Sequence, residues 1–144
     1  MRDIQPRKIT CYCMNFRRMA NALTKFYDSM LAAVNLTANQ LSLLADIQSI
    51  EPCNRSELAR CARLDRTTVI RNLEVLRKKG LIEETEGRNA AIKLTEQGQN
   101  SMEEGFVLWK EAQARIKEVF DPESRAVLRN TFEKIEQIEI LARE

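Results

Sequence analysis

Apolar positions recur along this chain at helical spacing over most of its length. Phe16, Met19, Leu23, Phe26 and Met30 follow one another at intervals of 3, 4, 3 and 4. That spacing predicts a helix with a narrow apolar seam from Cys11 to about Val34. "NLTANQLSLLADIQSI" comes next, with Thr37 placed to cap a second helix and Leu41, Leu44 and Ile47 on one face, before Pro52 ends it. Asn54, with Glu57 three residues on, opens a third helix in "NRSELARCARL", whose inward face is Leu58 and Ala62. Asp65 caps the fourth, which buries Val69, Leu73 and Leu76 and stops at Gly80.

The period then changes. "LIEE" and "AAIKL" are strand candidates on either side of the glycine-containing tip "TEGRN". Thr95 and Gly98 lead back into a long helix reaching about Phe120, with Trp109, Ala112, Ile116 and Val119 on one side. "DPES" restarts a last helix, with Asp121 as cap, Pro122 in its first turn and Leu128, Phe132 (or Thr131), Ile135 and Ile138 inward. The expected fold is mainly α, six helices with a small β-hairpin wing, a winged helix-turn-helix. Three segments divide it: an N-terminal dimerisation helix (1–36), the winged module (37–98) and C-terminal dimerisation helices (99–144). The terminal helices carry more apolar surface than the central module covers, which implies packing against a second copy.

Charge sharpens this picture. The chain's net charge is only +2, but residues 54–80 hold eight Lys/Arg against three acids, a local +5. Such an excess points to a polyanionic partner, although a solvated helical surface has the same composition. If Val69, Leu73 and Leu76 face inward, a turn of about 100° per residue puts Thr67, Arg71, Glu74 and Lys78 outward. Arg66, Thr68 and Asn72 fall on the flanks. An α-helix fits the DNA major groove, and residues in its first turns reach base edges. Arg66, Thr67, Thr68, Arg71 and Asn72 are therefore candidates for reading bases, and Arg77, Lys78 and Lys79 for holding phosphates.

Other chemistry is thin. The chain has no histidine, which removes the usual general base and the commonest metal ligand. No phosphate-cradling glycine loop or paired-carboxylate site is evident, so neither an enzyme nor a cofactor is expected. No run of about 18 apolar residues exists, and "MRDIQPRKIT" lacks a signal-peptide core, so no membrane partner and a cytoplasmic location are expected. The four cysteines then read as reduced thiols. Cys61 reads as a small core residue beside Leu58 and Ala62, and Cys53 as a turn residue without a role. Cys11 and Cys13 open the first helix beside Lys8, Arg17 and Arg18, and neighbouring cations favour the thiolate that reacts. Inert thiols, redox or electrophile sensing and a cysteine-only metal site all remain open there. A shared ion would require an unwound start, because residues 11 and 13 of a regular helix point about 200° apart.

"LTANQLSLL", "SELARCARLDRTTVIRNLEVLRKKGLIEE" and "IKLTEQG", with the long flanking helices, resemble the MarR family of dimeric winged-helix regulators over roughly residues 12–142. The resemblance implies a homodimer built from helices at both chain ends, bound to double-stranded DNA. It implies repression, less often activation, at pseudo-palindromic operators, relieved by a small-molecule effector or an oxidant. Members usually carry a longer wing with an Asp-x-Arg signature whose arginine enters the minor groove. Glu86-Gly87-Arg88 takes that place here, so Arg88 is the wing candidate for DNA. The acids Glu83, Glu84 and Glu86 beside this short wing motivate an alternative: an interaction adaptor that has lost DNA binding.

The family's organic-hydroperoxide-sensing branch places a reactive cysteine early in the first helix. Cys13 resembles it in its spacing to Tyr27, fourteen residues on, although Ala38 stands where that branch has a second tyrosine. "CYCMNFRR" also resembles a separate group of MarR-like proteins with paired cysteines. Cys11, Cys13 and Tyr27 are thus the redox candidates. Within one helix Cys13 and Tyr27 lie about 21 Å apart, so contact requires a partner subunit. Effectors of the family enter a cleft between the dimer helices and the winged module. Phe16, Met19, Tyr27, Leu31 and Trp109 are the residues expected to line it.

Overall fold

The computed structural model describes residues 11–142. The elements are α1 (Tyr12–Leu31), a short 3-10 turn (Ala32–Val34), α2 (Ala38–Ile50), α3 (Arg55–Ala62), α4 (Arg66–Lys78), β1 (Ile82–Glu84), β2 (Ile92–Leu94), α5 (Glu96–Val119) and α6 (Pro122–Leu141). Lys8 and the first ten residues of the 1–36 segment lie outside the described residues.

Local chemistry sets most of the boundaries. The Thr37 side chain accepts the Gln40 N–H while the Gln40 side chain accepts the Thr37 N–H, a reciprocal cap on α2. Asn54 and Glu57 form the same box on α3, and Asp65 and Asp121 cap α4 and α6. Between α3 and α4 the chain reverses through Arg63, in the left-handed conformation at φ 52°. That geometry costs a non-glycine residue about 1 kcal/mol or more, and the Leu64 N–H to Ala59 carbonyl bond of 3.0 Å helps offset it. Gly80, at φ +73°, ends α4 at no such cost.

The described residues form two compact units, the first reaching Trp109 and the second starting at Lys110. In the first, Leu44, Ile47, Leu58, Val69, Leu76 and Ile92 are fully buried and join α2, α3, α4 and the hairpin in one core. Each such aliphatic side chain contributes roughly 1.5–3 kcal/mol on burial. β1 and β2 pair antiparallel, with Ile82 opposite Leu94 and Glu84 opposite Ile92.

The hairpin is widened by a residue that spacing did not single out. Cys53 exchanges both backbone hydrogen bonds with Ile92, at 3.2 and 2.7 Å, and so extends the sheet beyond β2. This corrects two expectations at once. Cys53 is a core residue, buried at 2% exposure, whereas Cys61 is exposed with its thiol 3.9 Å from Asp46 Oδ1. Burial, with the nearby charges of Glu57, Cys61 and Glu51, pushes the Cys53 thiol up to about 11.

The second unit corrects another. Phe132, Ile135 and Ile138 of α6 do not face inward within the chain: Phe132 is 60% and Ile138 63% exposed. Leu128 is half-buried. No helix among the described residues is long and apolar enough to cross a membrane.

Candidate nucleic-acid interface

The placement of α4 follows from its own sequence. Val69, Leu73 and Leu76 bury one stripe, and Asp65 holds the first turn by accepting the Thr68 N–H at 2.9 Å. With that stripe held, Arg66, Thr67, Arg71, Arg77 and Lys78 are all exposed, and Thr68 and Asn72 are half-buried on the flanks. The Thr68 hydroxyl donates to Asp65 Oδ2 at 2.6 Å, so it already serves the cap. Glu74 has no ion-pair partner among the described residues, in contrast to the local pairing its neighbours Arg71 and Lys78 would suggest.

Lys79 differs from Lys78 beside it. Its Nζ donates to the Asn35 carbonyl at 2.7 Å and to Gln40 Oε1 at 3.0 Å. The ammonium expected to meet phosphate is instead committed to the turn before α2, whose capping glutamine it holds.

The wing stands across a cleft from α4. An open space of about 600 Å³ is lined by Asn54, Arg55 and Ser56 at the start of α3, by Arg66 and Arg77 of α4, and by Glu84 to Arg88 of the hairpin. Arg66 and Arg77 share it because eleven residues make almost whole turns of a helix. Arg88 is exposed at the tip, next to Gly87 at φ +108°. Four guanidinium groups thus border one groove, an arrangement that fits a phosphate backbone. Arg55 is the member that sequence reasoning left unassigned. Its signal was present, since the Asn54–Glu57 capping box makes it the first residue of α3.

The other candidates separate. Tyr27 and Trp109 come together with Ala38, Leu41, Ser42, Ala45 and Phe106 around an apolar pocket of about 360 Å³. Phe106 and Trp109 meet edge to face, with ring centroids 6.1 Å apart. Phe16 and Met19 do not line this pocket, and Leu31 is fully buried in the core. Burial raises the Tyr27 phenol above its ordinary value. Cys11 precedes α1 with extended backbone and makes no side-chain cap, and Cys13 is exposed in its first turn. Tyr27 lies far along the same helix, so the chain itself does not bring Cys13 and Tyr27 together. Among the described residues, no three His, Cys, Asp or Glu gather where they would hold a metal ion.

Two capped helices that bury a shared core, the second exposing arginines beside a hairpin, define a winged helix-turn-helix protein. The family model HVO_A0114 matches residues 35–99. Comparison with curated proteins finds no match. Among solved structures, the M. tuberculosis transcriptional regulator MosR is 34% identical, with a TM-score of 0.74 over 89% of this chain and 97% of that one. Its complex with DNA is similar at 35% identity and a TM-score of 0.73, over 88% and 98%. Bordetella bronchiseptica BpsR, whose DNA binding is regulated by 6-hydroxynicotinic acid, shares the fold at 17% identity and a TM-score of 0.81, over 93% and 99%. A cysteine-to-serine mutant of E. coli MarR complexed with operator DNA does so at 20% and 0.75, over 85% and 91%. The chain belongs to the MarR family of winged-helix, DNA-binding transcriptional regulators.

Proposed function

We propose that this regulator acts as a homodimeric repressor, binding a pseudo-palindromic operator and releasing it on capture of a small ligand or modification of a cysteine. The observation that carries this reading is the exposed guanidinium of Arg71, in the second turn of a helix whose opposite stripe is buried. Residues 37–98 do the binding: Arg66, Thr67, Thr68, Arg71 and Asn72 meet base edges, and Arg77, Lys78 and Arg88 meet the backbone or the minor groove. Segments 1–36 and 99–144 assemble the dimer. The exposed apolar side chains of α6, among them Val127, Phe132 and Ile140, support that assignment.

Two features support release. The pocket beside Tyr27 and Trp109 has the size and apolar lining of a small-molecule site. Exposed Cys11 and Cys13 are open to oxidants. The adaptor alternative loses ground, because one of its three wing acids, Glu84, is engaged by Arg55 within the chain.

The test is a gel-shift titration with the protein's own upstream DNA. Arg71→Ala should abolish specific binding while sedimentation and melting temperature stay as in the wild type. Unchanged affinity would remove the assignment of α4 as the reading helix.

A further inference from the structure

The side chains of Arg55 and Glu84 form a two-pronged ion pair, Nε to Oε1 at 2.8 Å and Nη2 to Oε2 at 3.0 Å. Glu84 is only 11% exposed at its side chain, against 41% for Arg55. The residues are 29 apart in sequence. Arg55 begins α3, and Glu84 ends β1 at the root of the wing. Just beyond Glu84 the wing loop is closed at its base, with the Thr85 N–H on the Ala91 carbonyl at 3.0 Å and the Ala91 N–H on Thr85 Oγ1 at 2.8 Å. The loop therefore moves with its root, which the backbone ladder and the buried Ile82 and Ile92 hold to the core and which this side-chain pair ties to the start of α3. Planar, bidentate pairing fixes direction as well as distance, which a lone lysine contact does not.

An acid at this position is otherwise unfavourable. It borders the same cleft as Arg66, Arg77 and Arg88, on a surface meant for a polyanion. We propose that Arg55 and Glu84 are a positioning pair that sets the wing against α4, so that Arg88 and the basic face of α4 engage the same stretch of DNA backbone. The pair acts on DNA binding through geometry, and the charge of Glu84 works against binding. The inference rests on the DNA-binding reading of this surface.

The opposed signs make the test decisive. Glu84→Gln removes a negative charge next to DNA, and charge alone predicts equal or tighter binding. Positioning predicts binding to a fluorescent duplex of the upstream region weakened about tenfold, with the Arg88→Ala effect largely lost in the Glu84→Gln background. The charge swap Arg55→Glu with Glu84→Arg should recover most of the affinity. Amide exchange of residues 85–91 should quicken in Glu84→Gln while α3 and α4 keep their protection. Unchanged or tighter DNA binding by Glu84→Gln, or unchanged exchange in the loop, overturns the proposal. If the wild type itself fails to bind the duplex, the DNA-binding reading fails instead, and the exchange measurement still decides whether the pair holds the wing.

Discussion

Asp65 holds Thr68 twice, taking its backbone N–H at 2.9 Å and its hydroxyl at 2.6 Å, on the turn that begins α4. These bonds, the side-chain one foremost, lower the Asp65 carboxyl below its ordinary 3.8. A folded-state value below the unfolded one means the stabilisation is complete above the unfolded pKa and disappears as pH falls through the folded value. Asp65→Ala should therefore melt a few degrees below the wild type at neutral pH and converge with it in strong acid. Asp65→Asn, which keeps an accepting oxygen, should stay close to the wild type at neutral pH. Thermal melts from pH 7 to pH 2 check this, and a constant gap across the range would contradict it.

Lys78 and Lys79 are adjacent, yet of the two only the Lys79 ammonium has partners among the described residues, the Asn35 carbonyl and Gln40 Oε1. Lys78→Ala should reduce the slope of log affinity against log salt by about one, the signature of one phosphate contact. Lys79→Met should leave that slope alone and lower stability by about 1 kcal/mol through its lost hydrogen bonds. Binding isotherms over a salt series, with melts of both variants, separate the two roles.

The cysteines should react in an order set by burial. In the native protein at pH 8, Cys11, Cys13 and Cys61 should be alkylated readily, and Cys53, buried with its thiol raised to about 11, only after denaturation. Peptide mass spectrometry reads this directly. If thiol modification is the release signal, Cys13→Ser should bind operator normally yet fail to let go on hydroperoxide treatment. Release from that variant would place the switch elsewhere.

Two glycines of α5 make a matched pair. A Cβ on Gly98 would overlap the backbone carbonyl of Leu81, which cannot yield without moving the strand, whereas on Gly105 it meets the movable Leu41 Cδ1 at 2.9 Å. Gly98→Ala should cost on the order of 2–4 kcal/mol. Gly105→Ala should cost clearly less, because alanine's helix propensity, about 1 kcal/mol better than glycine's, offsets part of the crowding. Urea unfolding of the two variants is the comparison.

What could be read from the chain alone was whatever acts within a few residues. Thr37, Asn54, Asp65 and Asp121 cap their helices as their spacing predicts, and Val69, Leu73 and Leu76 are buried as their period requires. A cap reaches three residues and a helical face repeats every three or four, so the sequence carries both signals whole. Only the tertiary structure decided which cysteine enters the core, because Cys53 is buried by pairing with Ile92 across the sheet. It likewise turned Lys79 toward Asn35, 44 residues away, and drew Arg55 to Glu84. Leu31 went into the core and left Tyr27 and Trp109 to the pocket. Such choices depend on partners brought together by chain reversal, and no local periodicity records which of several equally spaced side chains a remote strand or turn will meet.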